Sequence, residues 1–306
     1  MISNFLFHRV NPQRDLLWDP MDTLLFEKCI RYITRNYQVV LIEDLALSEK
    51  LYSKNNYATI MFDDGYKDNI QYAAPILDKF NCKASFYVVT DCIDNNVPTW
   101  THILEYLFQF TNKTDLNLDF DFLPADFHKK KLINQQERID YVSKLKPYLK
   151  IVSHEQRIKV LKKIEETYND VELPELMMNW NDLRELRRAG HYIGSHTVTH
   201  SMLGTMDNHE EISKELVLSA QRIQKELGYF PITISFPVGS YNETTKLLSK
   251  QAGYKIGLAV KQNIYDPKKD DLFEISRIEL YNEPWWKTKL RISNTLENIK
   301  KLIKYK

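Results

Sequence analysis

The sequence predicts an α/β fold built on a parallel sheet, interrupted once by a helical segment. Three observations predict it. Short apolar, β-branched runs alternate with amphipathic helical segments through the first 89 residues and again from residue 179 onward. Between these stretches, residues 102–176 carry charged helical periodicity without a strong strand signal. Two of the strand-like runs end directly in acid or imidazole residues, and parallel α/β folds collect their functional groups at the carboxyl ends of strands.

The elements follow in chain order. Residues 2–10 read as a first strand with His8 and Arg9 near its end, followed by a loop holding Asn11, Pro12 and Asp15. Asp22 is a helix N-cap, and 24–35 has helical period. Residues 37–42 predict a second strand and 43–54 a short helix. The run 57–62 (YATIMF) is a buried strand that leads straight into Asp63, Asp64 and Gly65. A helix over 69–80 and a strand over 83–89 follow. The segment 102–176 reads as an insertion within a single domain spanning 1–306, with helices over 129–149 and 154–167. The alternation resumes with a helix over 179–189 stopped by Gly190, a strand over 191–195 ending in His196, and a long helix over 208–227 stopped by Gly228. Then come a strand over 232–236, a helix over 243–252, a short strand over 257–260, an apolar stretch 272–280 around Arg277, and a lysine-rich terminal helix over 290–306.

Composition limits the function. The chain has 306 residues, 43% of them hydrophobic, enough for a sizeable core. Lys+Arg number 42 against Asp+Glu 41, which gives no electrostatic case for a nucleic-acid or anionic-membrane partner. The cysteines, Cys29, Cys82 and Cys92, lack the number and spacing of a disulfide framework or zinc-thiolate site and are expected as buried free thiols. No apolar stretch reaches transmembrane length, and the first residues lack a signal-peptide pattern, so a cytoplasmic location is expected.

Two carboxylates at the end of a buried strand repel each other and are poorly solvated. Asp-Asp-Gly is good turn chemistry, but a cation or a division of labour between acid and base would also offset the cost. His196 and His200 in SHTVTH stand four apart, a spacing that puts both imidazoles on one side of a helical turn. Because both motifs follow strands, they fall on one face of a parallel sheet. Two imidazoles and one carboxylate make a three-ligand site with an open position, as in catalytic zinc centres. One aspartate can then bind metal while its neighbour stays free to act as a base.

FDDG, SHTVTH and the strand-end FPVG, in this order, resemble the polysaccharide deacetylases of the NodB-homology type, carbohydrate esterase family 4, along almost the whole chain except the insertion. The resemblance implies a distorted (β/α)7 barrel with Asp63 as general base and Asp64, His196 and His200 holding a divalent metal. Zinc is expected first, while cobalt, nickel or manganese also fit such donors. The family's third motif, Arg-x-Pro-Tyr, reads Ser235, Phe236, Pro237, Val238 here. Val238 keeps the backbone N–H that the motif gives to the oxyanion, whereas the arginine that steadies the base is missing, and Arg277 or Arg9 is expected to replace it. The family's C-terminal histidine acid is also missing, since no histidine follows His209. In a closed barrel the first and last strands are neighbours, so His8 in FHRV is expected to supply that acid, which resembles permuted members that begin with Tyr-His-x-Val. The implied function is removal of an N-acetyl group from a sugar of a glycan or glycan precursor, such as a lipid-linked saccharide or nucleotide sugar in cell-surface polysaccharide synthesis. A deformylase, an O-deacetylase and a non-catalytic glycan-binding barrel are the alternatives. Trp100, Trp180, Trp285 and Trp286 are candidate sugar-stacking walls but are expected mostly in core or rim positions, and His102 in a solvated loop.

Overall fold

The computed structural model describes residues 1–48 and 55–296. The first half of the sheet runs β1 (Ile2–Phe7), α1 (Thr23–Asn36), β2 (Gln38–Val39), α2 (Ile42–Ala46), β3 (Tyr57–Phe62), α3 (Ala74–Lys79) and β4 (Ser85–Val88). α4 (Thr90–Asn95) leads to the region whose residues 102–176 are expected as an insertion: α5 (Trp100–Phe110), β5 (Asp115–Asn117), β6 (Lys129–Lys131), α6 (Gln135–Leu149) and α7 (His154–Thr167). The second half runs α8 (Trp180–Arg188), β7 (Tyr192–Ser195), α9 (His209–Leu227), β8 (Thr233–Ser235), α10 (Glu243–Gln251), β9 (Ile256–Leu258), β10 (Ile278–Glu279) and α11 (Trp285–Ile292).

Seven strands pair in parallel in the order β10-β1-β3-β4-β7-β8-β9, and β2 is a short branch on β3. β2 takes Tyr57 and Ala58, leaving Met61 and Phe62 for β4. The two ends of the path meet where Leu258 bridges Ile275, just ahead of β10, and the Ala259 N–H donates to the Ile275 carbonyl at 3.0 Å. The result is the distorted (β/α)7 barrel. β1 pairs with β10 through Phe5↔Ile278 and Leu6↔Glu279, so the first and last strands are neighbours as expected.

Period-two alternation sets inside and outside. Along β1 and β3, Phe5, Phe7, Ala58, Ile60 and Phe62 pack outward with Phe26, Ile30 and Leu77 of the surrounding helices. Ile2, Leu6, Tyr57 and Met61 join Tyr87, Ile256 and Leu258 in a separate inner cluster. Gly194 serves this interior, because a Cβ there would lie 2.5 Å from the Tyr87 ring. The amino end of the barrel is closed by Glu43 of α2, which is 2% exposed. Its carboxylate accepts hydrogen bonds from Ser85 (2.7 Å), Tyr87 (2.8 Å) and Thr233 (2.8 Å).

The insertion has its own apolar cluster, built from Leu104, Phe108, Val142, Leu145, Val160 and Ile164 among others. It also holds an antiparallel β5–β6 pair that the sequence pattern hides. Lys129–Lys131 is exposed, three residues long and not alternating, so it offers no strand signal. The helix expected from 129 starts instead at Gln135, where the Asn134 side chain caps the Glu137 N–H. The strand expected over 37–42 shrinks to two residues and the helix after it to five; positions 49–54 of that expected helix lie outside the described residues. The last helix begins earlier than expected, at Trp285 after Pro284, and positions 297–306 lie outside the described residues. The three cysteines are buried and free. Among the described residues, no helix is long and apolar enough to cross a membrane.

Candidate active site

β3 brings in both aspartates. The inward parity of Tyr57 and Met61 continues to Asp63, and strict alternation would turn Asp64 outward. Instead the backbone turns left-handed at Asp64 (φ 76°) and Gly65 (φ 93°), and both carboxylates line one cleft of about 250 Å3 at the carboxyl end of the barrel. Asp63 is 2% exposed and Asp64 1%.

β7 brings in His196, whose N–H donates to the Val88 carbonyl at 2.9 Å. The helical turn expected over 196–200 does not form. Thr197 (φ 69°) and His200 (φ 62°) are left-handed, and this loop brings the imidazoles edge to face at 5.1 Å. α9 pins the loop through Glu215, which accepts from the Val198 N–H (2.9 Å), the Thr199 N–H (3.0 Å) and the Thr199 hydroxyl (2.6 Å). Left-handed non-glycine residues concentrate here. Among the described residues, those elsewhere are Asn81, Asn96 and Asn294, which tolerate the conformation, whereas Asp64, Thr197, His200 and Val238 all sit in the strand-end loops.

Asp64, His196 and His200 each offer a ligand atom, all within 4.8 Å of one another. Asp64 Oδ1 lies 3.4 Å from His196 Nε2 and 3.3 Å from His200 Nε2. His196 Nδ1 faces the Ser235 carbonyl at 2.8 Å; donating there leaves the Nε2 lone pair aimed at a carboxylate oxygen that has no hydrogen bond among the described residues. Lone pairs converging on a buried point fit a cation, and the ring-to-carbonyl bond is the usual orienting contact of a histidine ligand. Burial alone would raise the Asp64 pKa, yet the two imidazoles outweigh it and hold the carboxyl well below the usual range. Burial pushes His200 down, toward the neutral form a ligand needs.

Asp63 stands beside this cradle, with Oδ2 4.0 Å from His196 Nε2. Arg277, fully buried, donates to Asp63 Oδ1 at 2.8 Å and to the Ser235 hydroxyl at 3.0 Å. Ser235 in turn donates to Asp63 Oδ2 at 3.1 Å, and Arg277 Nε is tied to the Ala259 carbonyl at 3.1 Å. Burial raises the Asp63 pKa, but the Arg277 charge above all outweighs it and keeps the carboxyl ionised. Arg9 does not reach Asp63. It binds Asp68 at 2.8 Å and stacks over Tyr66.

His8 lies on the cleft wall, with Nδ1 3.4 Å from Glu279 Oε1, the residue paired with Leu6 across the β1–β10 seam. Val238 lines the cleft in a left-handed conformation, φ 57°, costly for a β-branched residue. Trp180 packs away from the cleft and donates to Asp94 at 2.6 Å. Trp285 packs against Tyr32, and Trp286 is exposed. Trp100 reaches the site only from behind, donating to the His200 carbonyl at 3.2 Å. His102 is buried on α5 rather than in a solvated loop, facing the Tyr66 hydroxyl at 3.2 Å, and burial lowers its pKa to about 4. Sequence reasoning misses several cleft residues: Trp18, Thr101, Lys146, Lys150 and Glu279. They reach the cleft from a loop, the insertion and a two-residue strand, none of which carries a motif.

A sequence profile described as polysaccharide deacetylase matches residues 51–153 and 162–257. No curated protein sequence matches the chain. Several solved structures share its fold. The Streptococcus pyogenes deacetylase PplD, solved in complex with acetate, is 17% identical with a TM-score of 0.60, covering 95% of this chain and 97% of its own. A de-N-acetylase from Aggregatibacter actinomycetemcomitans is 16% identical with a TM-score of 0.61, covering 95% and 99%. IcaB from Ammonifex degensii is 13% identical with a TM-score of 0.61, covering 95% and 96%. The profile match takes in the strand ends that carry Asp63, Asp64, His196 and His200, and the chain belongs to the polysaccharide deacetylase family.

Proposed function

We propose that this protein is a metal-dependent hydrolase that removes the N-acetyl group from a sugar residue of a glycan or glycan precursor. The observation that carries the reading is the buried meeting of Asp64, His196 and His200 beside an Asp63 that Arg277 keeps ionised. The three residues would hold a divalent cation, zinc first, with cobalt, nickel or manganese as substitutes. When bound, such a cation supplies Lewis acidity, lowering the pKa of a water and drawing charge from a carbonyl oxygen.

The chain's own residues supply the rest. Asp63 accepts the proton of the attacking water at Oδ2, the oxygen turned toward His196, while Arg277 and Ser235 hold the carboxylate in place. The Val238 N–H donates to the negative charge that develops on the acetamide oxygen as water adds to the carbonyl carbon, and its strained backbone fits a group placed for a task. His8, oriented by Glu279, donates a proton to the departing amine and fills the role that a C-terminal histidine has in other members. Trp18, edge to face with His8 at 5.8 Å, gives the sugar an aromatic wall. The substrate class is an acetamido sugar used in cell-surface polysaccharide synthesis. The family, and relatives named deacetylase and de-N-acetylase, support an acetyl amide as the bond cleaved.

The test is acetate release from a panel of N-acetylated sugars by the zinc-loaded protein and its Asp63→Asn variant. The variant should bind metal as the parent does and lose about 10²–10⁴-fold in kcat/KM, the contribution of a positioned base. Undiminished turnover would overturn the base assignment. Binding of the sugars without acetate release by either protein would favour a glycan-binding barrel.

A further inference from the structure

We propose that the substrate carries a phosphoryl group next to the acetamido sugar, held by Lys150 with Lys146 at the cleft wall. The sugar rests on the deacetylase reading; the anion rests on the lysines. Both side chains come from the C-terminal end of α6, four residues apart on one face of the helix, and both line the cleft. Two like charges at that spacing repel. A lysine at a helix C-terminus is favourable in solvent, but that preference does not call for a half-buried ammonium turned into a cleft.

Their partners differ. Lys146 is paired with Glu105 of α5. Lys150 has neither an ion pair nor a side-chain hydrogen bond among the described residues, and burial pushes its pKa down. The carboxylates whose charge reaches it are Glu105, Glu279 and Asp64. Each has its own place: Glu105 pairs with Lys146, Glu279 faces His8 and accepts from the Tyr281 hydroxyl, and Asp64 points into the cradle it shares with His196 and His200. Among the described residues, the cleft thus has acids at its floor and one uncommitted cation, Lys150, on the wall formed by α6. Among the described residues, Arg9 and Arg277 are held by Asp68 and Asp63 and neither lines the cleft, so the charge offered to a ligand is an ammonium. A compact ammonium suits phosphate oxygens. A sugar joined to a carrier lipid, a nucleotide or a phosphodiester chain would present that same phosphoryl group.

The test is calorimetric binding to the metal-loaded full chain. Its probes are N-acetylglucosamine 1-phosphate, methyl N-acetylglucosaminide and the uronic acid of the same sugar. The phosphate should bind about ten- to a hundredfold tighter than the methyl glycoside, the size of one or two charge-assisted bonds. Lys150→Ala should remove most of that preference, and Lys150→Arg should keep it. Equal affinities in the parent, a preference that survives Lys150→Ala, or tighter binding of the uronate would each overturn the proposal. Acetate release measured in parallel tests the deacetylase reading separately, because a sugar phosphate held through Lys150 and never cleaved would sink that reading and leave the anion site standing.

Discussion

The two ends of the barrel bury the same functional group and treat it in opposite ways. At the amino end, Glu43 is surrounded by three hydroxyls and, among the described residues, pairs with no cation, and burial raises its pKa. At the carboxyl end, Asp63 and Asp64 are as deeply buried, but Arg277, His196 and His200 hold their pKa values down. The backbone differs as well. The hydroxyls around Glu43 come from regular strands, whereas Asp64, Thr197, His200 and Val238 stand in left-handed conformations that non-glycine residues rarely adopt. A buried carboxylate with hydroxyl partners closes the sheet. A buried pair with an arginine, two imidazoles and unsatisfied lone pairs has the donor set that the proposed cation site needs.

That contrast can be broken from either end. The largest stability effect is expected for Arg277→Met, which strands the Asp63 carboxylate; removing one partner of a buried pair costs about 3–5 kcal/mol. Adding Asp63→Asn should recover much of that loss in denaturant unfolding, and additive losses would show that the two residues do not act as a pair. At the other end, Glu43→Leu leaves three buried hydroxyls without their acceptor and should cost about 2–4 kcal/mol while metal content stays at the parent's level. Glu43→Gln separates charge from packing. The folded-state pKa of Glu43 is raised, so its contribution is complete below the unfolded-chain value and is lost as pH rises through the folded value. The melting temperature of the glutamine variant should therefore gain on the parent as pH rises, and parallel curves would refute the buried-acid account. The smallest effect is expected for Val238→Gly. It relieves the left-handed strain, shifts stability by about 1 kcal/mol or less, and keeps acetate release within a few-fold because the N–H remains. A loss of a hundredfold would mean that the valine side chain, not the backbone, does the work.

The legible parts of the sequence were those with a period or a motif. Apolar runs such as YATIMF gave the strands, Asp22, Asn179 and Asn208 marked helix starts, and DD and HTVTH stood at strand ends that parallel-sheet geometry brings together. The loop conformation of His196–His200 was not legible, because i,i+4 spacing suits a helical turn and a left-handed loop equally. The sequence favours Arg277 beside Asp63, with Arg9 as the alternative. Only the β1–β10 seam and the Ser235 and Ala259 contacts select Arg277. Trp18, Lys146 and Lys150 left no signal, since what places them is the packing of a loop and an insertion against the barrel mouth.

Everything proposed at the carboxyl end depends on Asp64, His196 and His200 forming one metal site. The direct measurement is metal content by elemental analysis of the purified protein and of His196→Ala, each loaded with zinc and desalted. One shared site should hold about one divalent ion per chain in the parent and lose most of it in the variant. A parent that retains no metal, or a variant that retains as much as the parent, would contradict it.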